Sequence, residues 1–154
     1  MAEDIDNELA DIMGAYRVRT AEKQQKVVAA EAAIQAFSLA WQECVRKVIS
    51  PALTEMQTRL NKQQIVAHPG SFDQGIAMYI AARDARLHHG AGMDGQPYLA
   101  IVPNYQAQRV HFERNASGNG RGSGVGDFTP AEITTELIQG RVMGLIRELF
   151  GTVK

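Results

Sequence analysis

"QQIVAHPGSFDQGIAMYIAAR", Gln63 to Arg83, is the stretch on which the fold turns. Before it, apolar residues recur every three or four positions. Within it they alternate, with Ile76, Met78 and Ile80 on one side and Ala77, Tyr79 and Ala81 on the other. A period of two belongs to a strand and a period of 3.6 to a helix, so helix gives way to sheet here. Two signals argue the other way: Ser71 and Gln74 form a weak capping box, and "AARDARL" is rich in helix formers, so 71–89 also has a helical reading. Gly75 and the need of neighbouring strands for a partner favour the strand. "QQIVAH" reads as a short strand ending in the turn "HPGS".

Downstream, "HHGAGMDGQP" (88–97) reads as a loop and "YLAIVP" (98–103) as a buried strand, apolar on both faces. "QRVHFER" (108–114) alternates Val110 and Phe112 inward with Arg109, His111 and Glu113 outward. These segments predict a three- or four-stranded antiparallel meander with one covered face. "NASGNGRGSGVGDF", Asn115 to Phe128, has glycine at every second position from Gly118 to Gly126 and is expected to be a flexible loop over 115–127. "FTPAE" then places Thr129 at a cap, Pro130 first in the helix and Glu132 third, a capping box; Thr134 offers a second start. In the helix that follows, Ile138, Val142, Leu145, Ile146 and Leu149 share one face. Gly140 and Gly144 flatten the other.

Upstream, from Ala2 to Ile49, there is no proline, and Gly14 is the one glycine. Ile5, Leu9, Ile12, Tyr16, Val27, Ile34, Phe37 and Trp41 lie on a stripe that continues to Leu60 at about 3.67 residues per turn, the period of a nearly straight helix. A helix of about 45 residues would span nearly 70 Å, more than the remaining chain can cover. Those eight residues are therefore the expected interface of a homodimer. A break in the polar stretch "RVRTAEKQQK" would instead fold the helix back as an ordinary hairpin. "ISPAL" predicts a kink or restart near Pro51, with the second helix ending near Asn61. The expected architecture is α+β in one domain: a helical arm over 1–62, and a body over 63–154 whose last helix packs on the sheet.

Composition sets the class. Over 154 residues, 45% hydrophobic and 21% charged content with a net charge of −1 describes an ordinary globular chain with no global pull toward polyanions. The single cysteine, Cys44, fits a reducing compartment. The acidic start lacks a signal peptide's basic region, and the apolar runs fall short of the ~20 residues of a membrane span. The cytoplasm is the expected location, with no membrane partner.

Site chemistry is sparse. The glycines fail the phosphate-loop pattern, having no lysine between Lys62 and Lys154, and fail the dinucleotide pattern at its third glycine. No cofactor is expected. His88 and His89 diverge as sequence neighbours, His68 and His111 stand alone, and no metal site is expected. Cys44 falls on the apolar side of its helix, and Ser117 and Ser123 lack a nucleophile's flanking glycines, so an enzyme is the less favoured reading. Arg109, His111, Arg114, Arg121 and Ser123 form the one local basic patch and are the candidate binding residues; Glu113 interrupts them, which disfavours nucleic acid. The leading expectation is a non-enzymatic assembly module that self-associates through its N-terminal helix and offers the sheet and glycine loop to a protein partner. The alternative is a small-ligand or anion-binding protein using the glycine-rich loop with Arg109, His111 and Arg121. A nucleic-acid accessory factor comes third.

Overall fold

Helix α1 runs unbroken from Ala2 to Cys44, so the polar stretch from Arg17 to Lys26 does not turn the chain back as a hairpin. A π-helical turn, Val45–Ile49, follows and leads directly into α2, Ser50–Lys62. Proline has no N–H to donate and its ring crowds the carbonyl four residues earlier, so a regular α-helix cannot pass through Pro51. The wider turn takes up that conflict: the Ser50 N–H reaches back five residues to the Val45 carbonyl. The computed structural model describes residues 2–81, 96–117 and 122–151, and the chain divides into two compact units, Met1–Ala36 and Phe37–Lys154.

In the second unit five strands, β1 (Val66–Phe72), β2 (Gly75–Ala81), β3 (Tyr98–Asn104), β4 (Arg109–Asn115) and β5 (Ser123–Phe128), form one antiparallel sheet in sequence order. The alternation in Gly75–Ala81 is thus that of a strand, while 82–89 and most of the 88–97 loop lie outside the described residues. Three expectations are corrected. The first concerns the turn, which is not "HPGS": β1 runs through Pro69, and the chain reverses at Asp73, whose φ is 51°. Proline is tolerated there because β1 is an edge strand.

The second correction concerns the glycines. The second half of the expected loop is β5, which pairs with β4. Between the pairs His111–Asp127 and Glu113–Gly124 β5 holds one more residue than β4, and Gly126, at φ 133°, takes up this bulge. A side chain at Gly124 would meet the His111 ring at 3.0 Å, and one at Gly126 the Phe128 ring at 2.6 Å. The glycines leave room for rings already present. The third correction is that the sheet's second face is also covered at its centre, where Ala77, Tyr79, Tyr98 and Ala100 are buried.

The main core lies on the other face. Met78, Ile80, Leu99, Ile101, Val110 and Phe112 from the sheet meet Phe37, Trp41, Ile49, Leu53 and Leu60 from the helices before it. From the other end of the chain come Ile138, Val142 and Leu145 of α3, Thr135–Phe150. The core therefore begins at Phe37, well before residue 63. The capping box forms as expected, Thr129 donating its N–H and hydroxyl to Glu132 Oε1 at 3.0 and 2.8 Å, but it closes a separate 3₁₀ turn, Pro130–Glu132. Those two bonds hold the Glu132 carboxyl below its ordinary pKa. Thr134 is the cap of α3, its Oγ1 accepting from the Leu137 N–H at 3.1 Å. Thr134→Ala is expected to cost about 1 kcal/mol, lowering the thermal midpoint by about 3 °C. An unchanged midpoint would mean that the Leu137 N–H finds another acceptor.

Candidate functional site

In the unit Met1–Ala36, Ile5, Leu9, Ile12, Tyr16 and Val27 are each 52–60% exposed. A helix places residues three and four apart on one side, so these side chains form one apolar line. Ile34 is half-buried. Met13 is exposed beside the line and widens it, whereas Val18 and Val28 are exposed elsewhere around the helix. Met13 adjoins Ile12 in the sequence, although the stripe alone did not select it. Phe37 and Trp41 differ: at 6% and 5% exposure they are part of the second unit's core, which removes them from the residues open to a partner. Phe37 packs edge-on against Tyr105 with ring centroids 5.6 Å apart.

In the second unit the expected basic patch does not converge. Alternation places Arg109 and His111 on one face of β4 and Arg114 on the other. Each also faces a carboxylate: Arg109 Nη1 lies 3.6 Å from Glu132, His111 Nδ1 2.7 Å from Asp127, and Arg114 Nε 2.8 Å from Glu148. Arg114 reaches α3 across Gly144, where an added Cβ would sit 2.8 Å from its Nη1; Gly140 has nothing within 4 Å. One glycine of the pair therefore makes room for an ion pair and the other faces open space. Ser123 is exposed at the start of β5, and Arg121 lies outside the described residues. An anion arriving at Arg109 or His111 would compete with a carboxylate already in place.

The outer face carries rings in a row. His68 stacks on Tyr79 at 6.2 Å, Tyr79 meets Tyr98 at 6.1 Å, and Phe72 lies against Tyr98 at 4.8 Å. The Tyr98 hydroxyl donates to Glu113 Oε2 at 2.6 Å, and burial, followed by this bond to a carboxylate, raises its pKa. Beside this row an open groove of about 590 Å³ is lined by Phe72, Val102, Tyr105, His111 and Glu113, among others. Cys44 is buried, its thiol 3.7 Å from the Pro130 carbonyl oxygen, and burial pushes its pKa up, which suits packing and not attack. Among the described residues no group of three or more His, Cys, Asp or Glu is placed to hold a metal ion, and no helix is long and apolar enough to cross a membrane. His88 and His89 lie outside the described residues. Comparison with protein-family models, with curated proteins and with solved structures gave no match.

Proposed function

We propose that the chain is a non-enzymatic assembly module that self-associates as a homodimer through the helix of its first unit. The observation that carries this reading is the exposed apolar line from Ile5 to Val27. Removing an isoleucine, leucine or valine side chain from water contributes about 1.5–3 kcal/mol, so several together are costly to leave wet. A second copy supplies the same line. The second unit, whose described residues build their own core, is the part that such a dimer would present to a protein partner.

The test is the solution mass of the full chain. Light scattering at micromolar concentration is expected to give about twice 16.9 kDa. Leu9→Glu with Ile12→Glu should return the mass to that of one chain while leaving the unfolding of the second unit unchanged. A native chain of monomer mass overturns the proposal.

A further inference from the structure

Resting on that self-association, we infer that the two helices pair antiparallel, about an axis near Tyr16. Two independent features of the first unit point the same way, one of charge and one of spacing.

Charge along this unit is segregated. Glu3, Asp4, Asp6, Glu8 and Asp11 precede any basic residue, and Arg17, Arg19, Lys23 and Lys26 follow, with Glu22 the one acid among them. A parallel pair in register would set five carboxylates beside five carboxylates at one end, and four cations beside four further along. Like charges at such separations oppose pairing. Turning one helix around brings the acidic segment of each copy beside the basic segment of the other.

Spacing supplies the register. From Ile5 the stripe steps to 9, 12, 16, 20, 23 and 27, and this run of intervals reads the same in either direction about Tyr16. In an antiparallel pair centred there Ile5 meets the partner's Val27, Ile12 the partner's Thr20, and the two Tyr16 side chains meet each other. Lys23, the charged break in the stripe, falls opposite the partner's Leu9. Its aliphatic stem covers that leucine, and its ammonium falls beside the partner's Glu8. Arg19 comes within about one helical turn of the partner's Asp11. The polar stretch that weakens the stripe in a single copy thus becomes the source of its orientation.

Orientation is read by distance. In a full-length Cys44→Ser background, one nitroxide is placed at Asn7→Cys and, in a second protein, at Gly14→Cys. Both positions are exposed, and nothing lies within 4 Å of a side chain added at Gly14. Antiparallel pairing about Tyr16 offsets the two labels along the axis by about 27 Å at position 7 and about 6 Å at position 14. Pulsed dipolar spectroscopy should therefore give a distance longer by roughly 10 Å at position 7. Equal distances at the two positions in a protein of dimer mass overturn the orientation and leave self-association standing. Monomer mass with no dipolar signal overturns both.

Discussion

Trp41→Ala is expected to destabilise the second unit by about 3–5 kcal/mol, a fall of roughly 10 °C in its thermal midpoint, whereas Leu9→Ala on the same helix leaves that midpoint unchanged. Trp41 is 5% exposed and joins the cluster formed with Leu53, Met56, Phe112 and the apolar face of α3. Its removal leaves a cavity that the closely packed neighbours cannot fill, and the cavity adds to the lost burial. Leu9 is 54% exposed, and its truncation removes no contact from that core. Scanning calorimetry of the two variants beside the native chain checks both. Equal losses would mean that the stripe is one cooperative unit from end to end, against the division at Phe37.

The second large effect is expected at Gly75, where alanine should cost about 3 kcal/mol or more. Gly75 opens β2 opposite Phe72 of β1. A Cβ there would run into the carbonyl oxygen of Ile101 and stand 2.8 Å from the Val102 Cα. Both are backbone atoms of β3, held by its pairing with β2 and β4, and neither can yield without opening the sheet. Gly75→Ala should lower the denaturant midpoint steeply, or leave the chain unable to fold. Near-native stability would mean that β2 and β3 separate locally without loss.

Much of this architecture is legible from residue spacing. The alternation in Val110–Phe112 and Ile76–Ile80, the capping box at Thr129–Glu132 and the helix restart at Pro51 are local signals, because each depends on groups within a few residues of one another. What escapes is decided by contacts distant in sequence. Gly75 reads as a residue that weakens a helix until the β3 backbone lies beside it. The glycines of β5 hide a strand because they leave no side chains to alternate; their need arises from His111 and Phe128. Pro69 and Gly70 resemble a turn, yet they lie within an edge strand. The candidate site follows the same division. The exposed line on the first helix is set by spacing and was legible. The matching of Arg109, His111 and Arg114 to carboxylates depends on which strands and helices become neighbours, and so was not. The stripe also looks alike on either side of Phe37, since its period holds no record of where the core begins.

The order of the sheet has a consequence for how the chain reaches this state. Each described strand pairs with its neighbour in sequence, so the meander can assemble hairpin by hairpin, with short turns everywhere except between β2 and β3, where 82–97 must be closed. Its apolar face is another matter. Val110 and Phe112 are fully buried only with residues of α3 packed in the same cluster, and α3 is the last described element. During synthesis the strands and the helices before them are available while that cover is still being made. A chain lacking α3 would hold all five described strands with part of their inner surface wet, the state in which association with the wrong partner is easiest.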